Sequence, residues 1–504
     1  MLGGDATAPH QALAHGLGRA ARHEYPGLTW SGADLDPGDP GDPGDRAASF
    51  EGAARQLLTE LLTEPGAGDT PESPDPLTGW RRGRRWVRGW TPVPDTPPGT
   101  VPATTSSTDT ERTGQDRPVW RPDGAYLITG GTRGLGMALA GHLVRSGVRR
   151  LALLARTAPP DGDEGVARLK AAGAEVLLLT ADAGMPDQLR AALKRAREHF
   201  GGLHGVIHAA GLPAGGLLLR RTPAETARVL APKVHAMGPL AELVGPGTPE
   251  SERPELLVLY SSAVTAFGGI GEGDYCAANT VLDAYGQALA GTAPSTRVVT
   301  VAWGPWRHDV WQSERLKTAG GLADKVAAYR DRYGFADEAG CVLLDRIVAG
   351  GHGCVMAVRQ PLREVLDAWT NMLDLDGLLQ SATATPQGER FPRPGLRTDY
   401  TAPRTEAEAR MADLWGAYLG IDRVGVHDPF FDLGGNSLTG MAMVLAIEKD
   451  LGRPVAPAVL FEHPTVAAFA AALDGDDDPG AQEALAGSSA RGQRRRRARS
   501  SNRT

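Results

Sequence analysis

Long apolar runs are missing from this chain. No stretch approaches the about 18 consecutive hydrophobic residues a membrane-spanning helix needs, and the N-terminus lacks a charged-then-apolar leader with a small-residue cleavage site. A soluble protein that is not exported is expected. Cysteine is scarce too: Cys276, Cys341 and Cys354 are odd in number and show no CxxC spacing, so neither a disulfide framework nor a structural zinc site is implied, and a reducing cytoplasm fits. Apart from the short Trp80 to Trp90 segment, clustered positive charge occurs only at the extreme C-terminus. With a formal net charge of -7, nothing draws the chain as a whole to nucleic acid or to an anionic membrane surface.

What is plentiful is length, glycine and proline. The 504 residues exceed one compact core, since domains run to about 100–200 residues. Hydrophobic residues at 41% and charged residues at 22% are ordinary for globular protein, whereas 65 Gly and 38 Pro point to long linkers.

Residues 1–91 begin with a helical pattern from Ala12 to His23. They pass through a Pro/Gly/Asp triplet repeat at 37–44, too short for collagen, and show a second amphipathic run near Phe50 to Leu62. Trp80 to Trp90 alternates bulky and basic residues across a Gly turn, as a small hairpin would. Residues 92–119 have the Pro/Thr/Ser composition of a linker. From 120 to 385, strand-like runs alternate with helical patterns: Tyr126–Ile128, Leu151–Leu154, Val176–Leu179, Gly205–Ile207, Leu256–Leu259 and Val298–Val301. That alternation predicts an α/β fold with a doubly wound parallel sheet of Rossmann-like type. A Pro-rich linker at 386–403 precedes a small four-helix region at 404–474, and residues 475–504 form a tail that ends arginine-rich and reads as disordered.

The first strand is followed by Thr129-Gly130-Gly131-Thr132-Arg133-Gly134-Leu135-Gly136 and then a helix of small and apolar residues. Glycines in that place allow a tight turn and close approach of a pyrophosphate to free helix amides, so these residues are a candidate dinucleotide site. Arg156, ending the second strand, stands where an NAD-selective site would offer a carboxylate, and it suits the extra phosphate of NADPH. Asp182, after the third strand, is placed to accept from an adenine amino group or simply to close its loop.

Taken with His208-Ala209-Ala210-Gly211 after the fourth strand, and Ser262 thirteen residues before Tyr275, this pattern resembles the short-chain dehydrogenase/reductase family. Within it, Ser261-Ser262, Gly268 through Tyr275 to Asn279, Leu282-Asp283-Ala284 and Trp303-Gly-Pro-Trp306 resemble the ketoreductase domains of polyketide synthases. The resemblance implies Tyr275 as proton donor; a phenol with the ordinary pKa of about 10 holds its proton at neutral pH. It implies Ser262 as hydrogen-bond donor to the ketone, Asn279 one turn after Tyr275, and Lys233 as the displaced lysine that supports the tyrosine. Ala209, Ala210 and Gly211 are implied neighbours of the cofactor. Two class-marking motifs differ here: Pro213-Ala214-Gly215 replaces a Leu-Asp-Asp, and Phe267 replaces a tryptophan, so product configuration is not readable.

Residues 1–91 resemble the later part of the structural half-domain that precedes such catalytic halves, through Gly16–Arg19, Glu24-Tyr25-Pro26 and Arg84–Val87. The earlier part is absent, which is expected of a fragment of a larger synthase or of a subunit completed by another polypeptide.

In the helical region, Val426-His427-Asp428-Pro429-Phe430-Phe431-Asp432-Leu433-Gly434-Gly435-Asn436-Ser437 resembles the attachment motif of acyl and peptidyl carrier proteins. It implies Ser437 as the site of 4'-phosphopantetheine, loaded by a phosphopantetheinyl transferase. A plain reading of Ser437 is a helix N-cap. Asn436 is nearer to peptidyl carriers and points to a polyketide and peptide hybrid pathway. Together the resemblances imply NADPH-dependent reduction of a β-ketoacyl thioester on a tethered arm, served by upstream and downstream synthase subunits. A tether raises effective concentration to about millimolar. The rival expectations are a non-catalytic carrier with a degenerate reductase scaffold and a free-standing carbonyl reductase.

Overall fold

A computed structural model describes residues 9–25, 28, 30–35, 77–81, 84–93, 119–213, 216, 218, 221–269, 271–293, 295–307, 321–366, 390–396, 398–433, 435, 437–453, 455 and 458–475. The amphipathic run near Phe50, most of the linker at 92–119 and the arginine-rich tail lie outside them.

At the centre is a seven-stranded, wholly parallel sheet. Its strands are β4 (Ala125–Thr129), β5 (Arg150–Ala155), β6 (Glu175–Thr180), β7 (Gly205–His208), β8 (Leu256–Ser262), β9 (Arg297–Trp303) and β10 (Cys354–Ala357). Their spatial order is β10-β9-β8-β7-β4-β5-β6. This is the doubly wound order, with a switch point where the connections reverse between β4 and β7. Every residue of β4 and of β7 is buried, because helices cover both faces of the sheet. That is why those strands read as unbroken apolar runs. Strand β6, at the edge, exposes both of its ends.

Helices α2 (Gly134–Arg145), α3 (Glu164–Ala171), α4 (Pro186–Phe200), α5 (Pro223–Val234) and α6 (Met237–Val244) carry the crossovers. Helix α5 opens with a capping box, in which Thr222 and Glu225 satisfy one another's backbone N–H groups. After β8 come a single turn, α7 (Val264–Phe267), and the long α8 (Gly273–Thr292). Helix α8 is buried on nearly all sides, since the sheet lies against one face and α1 (Ala12–Glu24) against another. Gly16 makes that contact close: a Cβ there would stand 2.6 Å from Ala277 Cα. Helices α9 (Gly321–Tyr333) and α10 (Asp337–Ala349) lead to β10.

A second, three-stranded sheet joins β1 (Gly32–Asp34), β2 (Leu77–Arg81) and β3 (Arg84–Val87). Strands β2 and β3 are the expected hairpin, with Trp80 opposite Arg85.

The C-terminal unit has four described helices, α11 (Glu406–Leu419), α12 (Ser437–Leu451), α13 (Ala458–Glu462) and α14 (Val466–Gly475). Trp415, Phe430 and Phe469 are wholly buried in its core, with Trp415 edge-on to Phe430 at 5.0 Å. Phe391 bridges to Ile421, and the Arg393 guanidinium grips Asp428, so these two residues ahead of α11 are bonded to this unit.

Candidate active site and carrier site

The candidate cofactor residues lie at the C-terminal ends of β4 and β7, where open α/β sheets place ligands. Gly130 and Gly134 take positive φ (69° and 51°). At Gly130 a Cβ would stand 3.2 Å from Ala210 Cα, and at Gly136 it would collide with the Gly130 carbonyl. Gly134 faces open space. Arg133 caps α2 in extended conformation with no side-chain bond to the helix amides, and Thr132 is buried beneath the loop. This tight loop, open on its outer side ahead of an uncapped helix start, fits a dinucleotide pyrophosphate.

Thr129 is wholly buried, and its hydroxyl is engaged within the protein. The oxygen accepts the Ala210 N–H at 3.1 Å and lies 2.9 Å from His208 Nδ1. The other ring nitrogen, Nε2, lies 2.8 Å from the Pro232 carbonyl, which can only accept, so it carries the proton. Burial pushes the His208 pKa down to about 3, helped by the Lys233 charge, and the ring is neutral. Reading the motif did not assign this histidine a task; its place at the head of His208–Gly211 was the available signal.

Arg156 is exposed at the end of β5. Asp182 accepts the Gly184 N–H at 2.8 Å and closes its own loop. Ala209, Gly211 and Leu135 are half-buried around the same strand ends.

Four candidate catalytic residues sit beside β8 and α8. Ser262 is the last residue of β8, half-buried, its Oγ 3.4 Å from the Val264 N–H. Lys233 is buried on α5 and donates from Nζ to the Tyr260 carbonyl at 2.6 Å, two residues before Ser262. Burial holds its ammonium down at about 8, with Asp283 pulling the other way. Tyr275 lies half-buried in the first turn of α8. Asn279 donates its side-chain amide to the Tyr275 carbonyl at 2.8 Å, and its Oδ1 is buried without a partner. An orphan acceptor of that kind is costly, about 1–3 kcal/mol. Asp283, buried one turn further on, has its pKa raised by that burial.

Phe267 occupies the class-marking position and is buried; its carbonyl lies 2.7 Å from the His23 Nε2. Pro213 is described, but Ala214 and Gly215 lie outside the described residues.

In the C-terminal unit, Ser437 is the first residue of α12. The turn leading to it is held by Phe430, whose N–H donates to the Pro464 carbonyl at 2.7 Å and whose carbonyl accepts the Gly435 N–H at 3.0 Å. A Cβ on Gly435 would run into the Phe430 ring. Asp428 accepts the Gly425 N–H at 2.7 Å and closes the preceding turn.

Comparison with known proteins matches two regions of the chain to known families. Residues 124–308 match the KR domain family and residues 409–473 match the phosphopantetheine attachment site family. The chain is 31% identical over 372 residues to polyketide synthase GfsA of Streptomyces halstedii, covering 69% of this chain and 5% of that one. It is 28% identical over 478 residues to the pikromycin synthase component PikAIII of Streptomyces venezuelae, covering 82% of this chain and 29% of that one. The chain therefore spans less than a third of either relative. A solved A1-type ketoreductase superposes with a TM-score of 0.51 at 25% identity, over 72% of this chain and 67% of that one. The fold, the two matched families and these relatives identify the chain as a ketoreductase-plus-carrier didomain of the modular polyketide synthase family.

Proposed function

We propose that this chain uses NADPH to reduce a β-ketoacyl thioester to the β-hydroxyacyl thioester while the acyl group is held on a phosphopantetheine arm at Ser437. The observation that supports the reading is that Lys233 bonds the carbonyl of Tyr260, two residues before Ser262 at the end of β8, while Asn279 bonds the carbonyl of Tyr275 in α8, the helix that follows that strand. Gly130, Thr132, Arg133, Gly134, Leu135 and Gly136 with Ala209, Ala210 and Gly211 hold the dinucleotide, Thr129 supports them from within through its bonds to His208 and Ala210, and Arg156 with Asp182 lie toward the adenosine end. When bound, the nicotinamide supplies the hydride.

Within the chain, Ser262 orients the ketone oxygen and Tyr275 delivers a proton to it as charge develops. Lys233 is a buried cation bonded to the strand two residues before Ser262, and it stabilises the phenolate left on Tyr275. Asn279, pinned to the Tyr275 carbonyl, fixes the turn of helix that carries the phenol. Ser437 is a substrate for a phosphopantetheinyl transferase and not a catalyst. Upstream and downstream synthase subunits supply and accept the acyl chain, in the cytoplasm.

Intact-protein mass spectrometry tests this directly. The chain is loaded at Ser437 with a β-ketoacyl phosphopantetheine and NADPH is added; a gain of two hydrogens on the arm, absent in Tyr275→Phe, is expected. Loading without reduction, with NADPH binding intact, would favour a carrier with a degenerate reductase scaffold.

A further inference from the structure

Glu24, at the end of α1, is 6% exposed, and its two oxygens go to two distant segments of chain. Oε2 accepts the Leu218 N–H at 2.6 Å and Oε1 accepts the Gly271 N–H at 2.9 Å. Leu218 lies between β7 and α5, and Gly271 lies just before α8. These are the two loops that flank the start of the Tyr275 helix. The Leu218 side chain rests directly over Gly273, where any Cβ would overlap it. Leu218 therefore covers the first turn of α8, two residues from Tyr275.

Burying a carboxylate is costly unless its oxygens receive hydrogen bonds, and backbone N–H groups donating to a charge are among the stronger ones. Asp274 and Glu272 stand near Glu24, and burial with these neighbours raises its pKa to about 7. Arg221 is committed to Asp274. The helix that carries Glu24 is itself fixed to the turn after β8: Arg19 Nη1 donates to the Thr265 carbonyl at 2.6 Å, and Gly16 lies against Ala277. The N-terminal segment thus brackets the helix that carries Tyr275, and Glu24 is its contact with both loops.

We infer that Glu24 is a positioning residue of the reductase site, which pins Leu218 over the first turn of the Tyr275 helix and so shapes the wall that an acyl chain meets there; this rests on the reductase reading above. The N-terminal segment is then a working part of the active site as well as a support for it.

The test uses the full chain and two variants, Glu24→Gln and Leu218→Ala. Glutamine keeps one acceptor but turns the other position into a donor facing an N–H, which releases one loop. In Glu24→Gln, amide exchange in peptides containing Leu218 or Gly271 should rise about tenfold, with the rest of the sheet domain unchanged. KM for a short β-ketoacyl thioester should rise about five- to tenfold, while the Kd for NADPH stays within about twofold. Leu218→Ala should raise KM similarly and leave exchange at Gly271 as it was. Unchanged exchange at both loops would overturn the inference, as would exchange rising throughout the domain with NADPH affinity falling in step, or a Leu218→Ala KM equal to that of the parent. A parent protein that binds NADPH but reduces no thioester retires the reductase reading alone; the exchange arm still decides whether Glu24 holds the loops.

Discussion

The imidazole of His208 bonds to the carbonyl of Pro232, the residue that precedes Lys233, at 2.8 Å. Its other nitrogen lies 2.9 Å from the Thr129 hydroxyl, beneath the glycine loop. One neutral ring thus joins the candidate cofactor loop to the helix that carries the candidate lysine.

His208→Leu should leave the Thr129 hydroxyl and the Pro232 carbonyl without this partner and cost about 1–3 kcal/mol at pH 7. The pH dependence distinguishes this from a packing change. The folded pKa of about 3 lies below the ordinary 6.5, so the unfolded chain takes up the proton first, and stability falls as pH drops from 6.5 toward 3. Denaturant melts at pH 7 and pH 5 should show a smaller pH-dependent loss in the variant than in the parent. Equal losses would remove His208 from the account.

Lys233 is a buried cation, and its Nζ bonds the Tyr260 carbonyl. Lys233→Met should raise Tm at pH 7 and cut kcat about 10- to 100-fold, because an activity need holds a charge where packing would prefer none. The folded pKa of about 8 lies below the ordinary 10.5. Between those values the unfolded chain holds more protons, so the parent gains stability as pH rises and the advantage of the variant shrinks. Calorimetry at pH 7 and pH 9.5 checks the sign.

Two substitutions should separate the two sites. Tyr275→Phe should lower kcat by about a hundredfold or more with NADPH binding retained. Ser437→Ala should abolish the mass gain from phosphopantetheinylation while leaving reduction of a free thioester unchanged. Loss of reduction in Ser437→Ala would mean the two units do not act independently on a free substrate.

Gly16→Ala places a Cβ 2.6 Å from Ala277 Cα and 2.7 Å from the Cys276 carbonyl, both backbone atoms. Helix α1 must then move off α8, at about 1–3 kcal/mol. A fall in Tm is expected, together with a lower kcat, since Tyr275 lies in the helix that α1 supports. An unchanged Tm would show that the close contact tolerates a methyl group.

Most of the sheet was legible in the chain because central parallel strands, buried on both faces, read as short apolar runs between helical patterns. Strand β10 was not legible: Cys354–Ala357 is four residues long and becomes a strand only by pairing with β9. Strand β1 is shorter still, three residues paired with Leu77 to Gly79 across a long separation.

At the sites, local spacing identified what a turn of backbone can hold. The glycine loop, the one-turn interval from Tyr275 to Asn279 and the serine that opens α12 are each set by consecutive residues and the geometry of one strand end or one helix. The tasks of His208 and Glu24 could not be read that way. Their partners lie 24, 79, 194 and 247 positions away, so it is tertiary packing that brings a ring between Thr129 and Pro232 and a carboxylate between Leu218 and Gly271. Residue type and spacing determine which groups are present. Only burial decides which of them are neutral, which are charged, and which backbone groups they hold, because a polar group removed from water must find its partners among whatever the fold places beside it.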